Sequence, residues 1–354
     1  MNRKLRVMVI TNENFIDSAP GQKDAIRVLA HQDFIDSVEF VSHSHYGNQE
    51  QDFVQVMSAL LNIKYDVVMI WSPKSFPETA DKFDQLISAI GGRPIYYWEG
   101  DPWTKTGVKK WTNSMKWWAS KSEIIFSVAI EPHKTMFQSV SGAEFLFIPQ
   151  TYCHIQFFEE EQVKPPEIVN SNSVVMIGNQ SAKVPFLHGT PGSGVRFLAA
   201  ASLKFRLGED FYLYGRRWPR NMATGVVKYS EQSKLIRNFS MSANWDNFPH
   251  HESYASDRLP ISLLAGRVHV TSSHPGVNHY GGEDIGLVQV SGLRELHHKV
   301  DELRGVDPLK LSQMGLDAHN WSKHRFSHRE AARFMFSHIS KDIPRLQIQP
   351  WVTL

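Results

Sequence analysis

The stretch that organises this sequence runs from Ser256 to Val270 and reads Ser-Asp-Arg-Leu-Pro-Ile-Ser-Leu-Leu-Ala-Gly-Arg-Val-His-Val. It predicts a polar loop, a short helix over Leu259–Ala265, and a β-branched strand beyond Gly266. Pro260 is tolerated in the first turn of a helix, where its missing N–H costs nothing. Gly266 suits the left-handed conformation that ends many helices. The stretch is therefore typical of a loop–helix–strand unit in an α/β domain.

Two charged residues stand at the start of this predicted helix. Asp257 is a candidate N-cap, because its carboxylate can accept hydrogen bonds from the free amides of the first turn. Arg258 places a fork-shaped cation where a helix start already attracts anions. One interpretation is a phosphate-recognition site. The other is an ordinary surface ion pair between Asp257 and Arg258 on a core helix.

Length and composition indicate a globular protein of about two domains. The chain has 354 residues, of which 42% are hydrophobic and 21% charged. The net charge of +2 gives no strongly basic field for nucleic acid. The single cysteine, Cys153, excludes disulfide frameworks and cysteine-based zinc sites and fits a reducing cytoplasm. No apolar run is long enough for a signal peptide or a membrane span, so we expect a cytoplasmic protein. A monomer or homodimer is expected.

Apolar strands alternate with helical segments in both halves of the chain, which predicts two doubly wound parallel sheets. The first half has predicted strands at 5–10, 38–41, 65–71, 94–98, 124–128 and 144–149. The second half has them at 173–178, 210–215, 225–229, 240–244, 268–271 and 286–290. Clustered charge and a Pro-Pro pair at 159–166 indicate a linker. We therefore predict domains over 1–160 and 168–335, with 336–354 returning to the first domain.

Five short motifs in the second half occur in an order that resembles the GT-B glycosyltransferases, and within them the spore-maturation CgeB-like group of the family 4-type enzymes. The resemblance covers roughly 173–335. The motifs are Val175-Met176-Ile177-Gly178, Tyr212-Leu213-Tyr214-Gly215-Arg216-Arg217-Trp218, Ser256-Asp257-Arg258, Leu264-Ala265-Gly266 and His324-Arg325-Phe326-Ser327-His328-Arg329. The resemblance implies two Rossmann-like domains facing a central cleft.

The resemblance also implies a nucleotide-sugar donor in the second domain, with its diphosphate held by the helix-start arginine and the glycine loops. The donor-binding residues would be Gly178, Asn179, Lys183, Gly215, Arg216, Asn244, Ser256, Asp257 and Arg258. No metal and no further cofactor are expected, because an arginine and a helix dipole can neutralise a leaving diphosphate. The family usually has a glutamate for the donor ribose where this chain has Ile261. Ribose recognition would then lie elsewhere, be weaker, or suit a different nucleotide.

The first half offers a candidate base. The run Pro94-Ile95-Tyr96-Tyr97-Trp98-Glu99-Gly100-Asp101 is similar to a strand and acid in the phage DNA glucosyltransferases, which implies that Asp101 is the general base. Independently, a carboxylate at the end of a buried strand, beside indoles that exclude water, gains basicity by burial. Asp101 capping the turn before Pro102 is the alternative. Rival bases are Glu99, Asp17 and His45, and acceptor-binding candidates are Asn14, Asp17, Trp98, Glu99 and Trp103.

These observations predict a metal-independent glycosyltransferase, for which inversion is favoured and retention is the alternative. Its acceptor would present a hydroxyl or amine on a natural product, a glycan or a modified nucleobase, with a small molecule or glycan favoured over DNA. A non-catalytic nucleotide- or sugar-binding protein is the main alternative, favoured by Ile261. An epimerase or a phosphoribosyl-transferring enzyme on the same scaffold is a third. The turn Pro191-Gly192-Ser193-Gly194 is either a phosphate-cradling loop or a flexible turn before a helix.

Overall fold

The computed structural model describes residues 4–12, 35–45, 47–104, 110–162, 172–181, 190–280, 282–340, 345–346 and 349–351. The chain divides into two compact units. The first comprises Met1–Pro149 and His328–Gln349, and the second comprises Gln150–Ser327 and Pro350–Leu354. Each contains one parallel sheet with helices. Of the predicted residues, Asn14, Asp17 and Lys183 lie outside the described part of the chain.

The first unit contains a six-stranded parallel sheet in the order β2-β1-β3-β4-β5-β6. Its strands are β1 Leu5–Thr11, β2 Ile35–Ser42, β3 Val67–Trp71, β4 Ile95–Glu99, β5 Ile124–Ser127 and β6 Glu144–Phe147. Its described α-helices are α1 Gln49–Asn62, α2 Ala80–Ile90, α3 Asn113–Lys121 and α4 His133–Gln138. The central strands β3 and β4 are buried along their whole length. This is why they read as unbroken apolar runs rather than as alternating patterns.

The second unit contains a five-stranded parallel sheet in the order β11-β10-β9-β7-β8. Its strands are β7 Val174–Ile177, β8 Phe211–Tyr214, β9 Met241–Asn244, β10 Val268–Ser272 and β11 Leu287–Val290. Its described α-helices are α5 Phe158–Gln162, α6 Ser193–Leu207, α7 Gln232–Ile236, α8 Arg258–Leu264, α9 Leu293–Arg304 and α10 Pro308–Lys323. The predicted α/β fold class is confirmed in both halves.

The last described α-helix, α11 His328–Ile339, belongs to the first unit. It buries Phe334, Met335 and Phe336. The chain thus returns at His328, whereas the sequence predicted residue 336. No helix in the described ranges combines the length and apolarity that a bilayer span requires.

Two local predictions differ from the structure. Residues 225–229 form no strand; Gly225 makes one isolated bridge to Tyr214, and Val226 is 62% exposed. The acidic run predicted as a linker begins inside helix α5, where Glu160 and Glu161 are buried and Glu161 accepts a 2.7 Å hydrogen bond from the Tyr152 hydroxyl. Charged residues can be buried where polar groups meet them, as the Tyr152 hydroxyl meets Glu161. Glu160 Oε1 is buried and has no hydrogen-bond partner among the described residues.

Candidate functional site

The candidate site of the second unit lies where its strand order reverses. Strand β7 has β8 on one side and β9 on the other, and open α/β sheets bind ligands outside the carboxyl ends of strands at such a point. Gly178 and Asn179 follow β7, Gly215 and Arg216 follow β8, and Asn244 ends β9. The motifs are separated widely in sequence, but parallel pairing brings them to one edge.

Hydrogen bonds join these predicted donor residues. The Gly178 amide donates to the Tyr214 carbonyl at 2.8 Å. The Arg216 amide donates to the Asn179 side-chain oxygen, also at 2.8 Å. The Asn244 amide group donates to Ser256 Oγ at 3.4 Å. The loops after β7 and β8 are therefore joined to each other, and the end of β9 is joined to the polar loop before α8.

Arg258, the first residue of α8, reaches back to β7. Its Nε donates to the Ile177 carbonyl at 2.9 Å, and its side chain is 26% exposed. Its Nη1 lies 3.3 Å from Asp257 Oδ1. Asp257 occupies the N-cap position as predicted, but its side chain caps no amide; the carboxylate instead accepts a hydrogen bond from Arg258. Gly266 is left-handed as predicted, with φ +73°.

A second arginine, absent from the sequence-based site, lies beside the first. Arg196 on α6 is 2% exposed, and its Nη2 donates to Asn244 Oδ1 at 2.8 Å. Its Nε is buried and has no hydrogen-bond partner among the residues that the structure describes. Burial, together with the nearby charge of Arg258, lowers the pKa of Arg196 to about 9. A buried cation with an open donor, next to another cation, forms a site that an anion would complete.

Gly178 marks where the two guanidinium groups converge. A Cβ on this residue would lie 2.6 Å from Arg196 Nη2 and 2.8 Å from Arg258 Nε. A side chain here would occupy the space beside both cations. Glycine at position 178 therefore keeps the arginine pair accessible.

Buried polar residues hold Arg196 in place from β9. Asn244 donates through Nδ2 to Asp246 Oδ1 at 2.8 Å, and Asp246 Oδ2 lies 3.1 Å from His274 Nε2. Burial alone would raise the pKa of Asp246, but the His274 hydrogen bond and the charges of His274 and Arg196 hold it well below its usual range. Asn244 is itself only 3% exposed, so it acts through Arg196 rather than as a surface contact.

Two further glycines, one at this edge and one nearby, are required by close backbone packing. Gly215 has φ +145°, and a Cβ there would lie 2.2 Å from the Gly178 carbonyl oxygen. A Cβ on Gly192 would lie 2.3 Å from the Asp246 carbonyl oxygen. The Gly192 amide also donates to the Asn247 carbonyl at 2.7 Å. The turn before α6 is thus packed tightly on the end of β9, which accounts for its glycine without a phosphate.

Ile261, where the sequence resemblance implied a ribose-binding glutamate, is fully buried at 0% exposure. It lies in the interior of the seven-residue helix α8, where Leu259, Leu263 and Leu264 are also buried. The side chain at this position therefore packs in the core, and no exposed atom of Ile261 is available to a ligand.

In the first unit, the carboxyl end of β4 carries two acids with different environments. Glu99 is 2% exposed and accepts hydrogen bonds from the Tyr97 hydroxyl at 2.7 Å and from Ser72 Oγ at 2.9 Å. Burial raises the pKa of Glu99 to about 7, with the Asp101 charge adding to the rise and the hydroxyl donors opposing it. Asp101 is half-buried. The strongly buried acid is therefore the rival base, Glu99.

Both acids line a pocket of about 400 Å³. Its other lining residues are Lys74, Ser75, Pro102, Trp103, Lys110, Thr112 and Met115. Trp103 is 3% exposed and stacks on His133 and Trp111 at centroid distances of 4.0 and 4.7 Å. These protein rings fix the indole as a wall of the pocket. Asp101, Glu99 and Trp103 are thus brought together as predicted.

Two other candidates do not join this pocket. Trp98 is 7% exposed and packs edge-on against Trp71 at 4.8 Å. Because side chains alternate along a strand, it lies on the face opposite Tyr97 and Glu99. His45 is exposed on the segment after β2.

One feature of the sequence does distinguish Arg196. It belongs to the buried stripe of α6, together with Ala199, Ala200 and Leu203. An arginine in such a stripe is unusual, because charged residues are almost never fully buried unless paired. The buried stripe indicates that Arg196 is unusual, but it does not predict which residues Arg196 contacts.

Comparisons with solved structures identify the fold. HepE of Anabaena, solved with UDP-glucose, matches with a TM-score of 0.57 and 13% identity, covering 95% of this chain and 99% of that one. Sucrose-phosphate synthase of Thermosynechococcus elongatus matches with a TM-score of 0.63 and 10% identity over 95% and 98%. The β-glucosyltransferase of T4 phage matches with a TM-score of 0.55 and 15% identity over 96% and 100%.

These neighbours are GT-B glycosyltransferases, and the chain shares their fold of two parallel-sheet α/β domains. No protein-family model matches the sequence, and a search of the curated proteins finds no similar sequence. At such low identities the likeness concerns the fold. The narrower placement in the CgeB-like group stays a prediction.

Proposed function

We propose that this protein is a glycosyltransferase that moves a sugar from a nucleotide-diphosphate donor to an acceptor hydroxyl or amine. One observation carries the proposal: Arg196 and Arg258 converge beside Gly178 at the strand-order reversal of the second sheet. Neighbours of the same fold were solved with UDP or UDP-glucose. A diphosphate is the anion that such a pair of cations at this position would suit best.

The chemistry follows from the charges. As the bond between sugar C1 and the diphosphate oxygen breaks, its electron pair leaves with the diphosphate, where negative charge grows. Arg196 and Arg258 would stabilise that charge, and because their partners hold them in place, little reorganisation is needed. We propose that this makes the reaction independent of a metal. Asn179, Gly215, Arg216 and Ser256 would line the same donor site.

We propose Asp101 as the general base, in an inverting reaction. The acceptor oxygen or nitrogen attacks C1, and its proton passes to the Asp101 carboxylate. Asp101 is half-buried in a pocket of about 400 Å³, whereas Glu99 lies beneath it and is already bonded by protein donors. A pocket of this volume suits a sugar or a small aglycone. The small net charge of +2 favours these over DNA.

Donor binding is the direct test. A panel of UDP-, dTDP- and GDP-sugars is scored by thermal shift and by release of the nucleoside diphosphate. We expect one nucleotide series to raise the melting temperature and to turn over. Arg258→Lys and Arg258→Ala should weaken donor affinity by about tenfold or more, the value of one charge-assisted hydrogen bond. The control is Arg206→Gln, because Arg206 forms an exposed surface ion pair with Asp301. A panel with neither binding nor turnover would refute the proposal.

A non-catalytic binding protein is the second candidate, favoured by the fully buried Ile261. The two candidates separate at Asp101. If the protein is an enzyme, Asp101→Asn should leave donor affinity intact and lower kcat by about 10²- to 10⁴-fold. If donor binds but the wild-type protein neither transfers nor hydrolyses it, the binding role is favoured. An undiminished rate in Asp101→Asn would refute the base assignment alone.

A further inference from the structure

Glu99 is a buried carboxylate that the proposed reaction does not use. Three donors converge on it: the Tyr97 hydroxyl at 2.7 Å, Ser72 Oγ at 2.9 Å and the Asp101 amide at 3.2 Å. In the described part of the chain, no cation forms an ion pair with it. A carboxylate that accepts three hydrogen bonds in the interior is anchored, because moving it would leave several buried groups unsatisfied.

The same contacts fix the turn that carries Asp101. Ser72 follows β3 with φ +41°, and its amide donates to the Trp98 carbonyl at 2.9 Å. Its hydroxyl donates to Glu99 and accepts from the Gly100 amide at 3.1 Å. The amides of Gly100 and Asp101 are therefore both bound, one through Ser72 and one by Glu99 directly. Together these bonds set where the backbone of Asp101 stands.

We propose that Glu99 is the positioning residue of this site, holding Asp101 at the pocket through the Asp101 amide and through Ser72. The inference deepens the proposed function and rests on the role of Asp101 given there. The ionised carboxylate of Glu99 can accept hydrogen bonds from all three donors. The protonated carboxyl group carries an O–H of its own, which faces those same donors and weakens its ability to accept from them. The hold of Glu99 on the turn is therefore strongest when it is ionised.

The groups that face Glu99 decide how the hold varies with pH. They are Tyr97 on its own strand, Ser72 on the loop after β3, and Asp101 on the following turn; Lys74 and Lys110 line the same pocket. Burial raises the pKa of Glu99 to about 7, and the Tyr97 and Ser72 hydroxyls oppose that rise. Ionisation of Glu99 would therefore tighten the turn as pH rises through neutrality.

A first test follows the turn directly and needs no activity. The ¹⁵N shift of the Asp101 amide is measured against pH in the wild-type protein, Glu99→Gln and Tyr97→Phe. We expect a wild-type titration near pH 7 that is absent in Glu99→Gln, which keeps an acceptor oxygen but cannot ionise. In Tyr97→Phe it should move to higher pH, because one donor to the carboxylate is lost. A wild-type amide without this titration would overturn the inference, whether or not the protein transfers sugar.

A second test uses UDP-glucose turnover against pH, with water or an added acceptor. Wild-type kcat should rise through a limb near pH 7. Glu99→Gln should lack that limb and have a lower kcat, with the KM for UDP-glucose unchanged. The control is Glu144→Gln, an exposed carboxylate on β6. If Glu99→Gln keeps the limb, the positioning role is wrong while the transferase proposal stands. If the wild-type protein has no turnover, the transferase proposal is refuted, and the amide titration alone decides whether Glu99 holds the turn.

Discussion

At the carboxyl end of β4, Glu99 and Asp101 line the same pocket, but Glu99 is 2% exposed whereas Asp101, two residues later, is half-buried. Both acids are candidate bases in the sequence, but the sequence predicted that Asp101 is the one whose basicity is raised by burial. Burial depends on which face of the strand a residue occupies and on what covers that face. Tyr97 and Ser72 cover Glu99, and Ser72 comes from a loop 27 residues earlier.

The buried Glu99 should make the stability of the folded protein depend on pH. Its pKa is raised from 4.5 to about 7 in the folded state, so between these values the folded protein holds a proton that the unfolded chain has lost. Stability is then lost as pH rises through this window, by at most about 3 kcal/mol. Glu99→Gln should match the wild-type melting temperature near pH 5 and exceed it near pH 8, by differential scanning fluorimetry. Equal pH dependence in both proteins would contradict this.

Arg196 should be needed for both stability and donor binding. Arg196→Met removes the cation that Asn244 and Asp246 are arranged around, so we expect a loss of about 3 kcal/mol in the free energy of unfolding. Thermal stabilisation by UDP-glucose should disappear as well. Arg196→Lys keeps the charge but not the fork, and should restore stability more than binding. Urea unfolding and thermal shift measure both quantities, with Arg206→Met as the exposed control.

At the scale of the elements, close packing of loops shapes the candidate donor site. The loops after β7 and β8 approach each other closely. Gly178 and Gly215 are constrained there by different neighbouring atoms. At Gly178 a methyl group would meet two arginine guanidinium groups, which can be displaced only at the expense of their hydrogen bonds to Asn244 and Ile177. At Gly215 it would meet the backbone of Gly178, which cannot move, in a conformation with positive φ.

Three alanine substitutions should separate these constraints. Gly178→Ala should stay folded and lose donor affinity, by about tenfold or more, because both guanidinium groups are displaced. Gly215→Ala should be strongly destabilised. Gly225→Ala is the control, since a Cβ there makes only ordinary contact with the Tyr214 ring at 3.7 Å. Melting temperature and UDP-glucose titration of the three variants check the order. Intact donor affinity in Gly178→Ala would place the ligand elsewhere.

Sequence reasoning succeeded for elements whose burial is uniform. The strands β3, β4 and β7 are buried throughout and β1 is buried from Val7 onward, and the parallel sheets follow from them. It failed at 225–229, where Gly-Val-Val-Lys-Tyr has strand composition but Val226 is 62% exposed and only Gly225 bridges a strand. Amino-acid composition cannot show that a segment at the edge of a sheet has no core to pack against.

The candidate donor site was predicted in part for a related reason. Gly178, Asn244 and Arg258 stand beside motif signals, so their position could be read from the order of strands. Arg196 could not be placed, because its reason for being buried is Asn244, 48 residues later. Pairing of that kind is a property of the folded sheet rather than of any local pattern.

At the scale of the whole molecule, the chain is divided into two units with separate cores. The first unit is built from both ends of the sequence, since α11 returns to it after the second unit is complete. A substitution late in the chain should therefore act on the amino-terminal sheet. The second unit, with its own sheet and core cluster, should be spared.

Phe334 on α11 offers a test, because it is 1% exposed. Phe334→Ala should cost about 3 to 5 kcal/mol through the cavity that it leaves. Hydrogen exchange should rise in peptides of β1, β3 and β4, while peptides of β7, β9 and β10 stay protected. Phe205→Ala, at a side chain 94% exposed, is the matched control. Uniform loss of protection across both sheets would contradict the division.

The paired arginines also affect how the protein is handled at the bench. Two like charges beside Gly178, one with a buried and unbonded Nε, leave the ligand-free protein receptive to any small oxyanion. Phosphate at millimolar concentration would then stabilise the fold by mass action and compete with the nucleotide. Titrations in phosphate buffer would report weaker donor affinity than those in an amine buffer. A precipitant such as ammonium sulfate would tend to occupy the same position in a crystal.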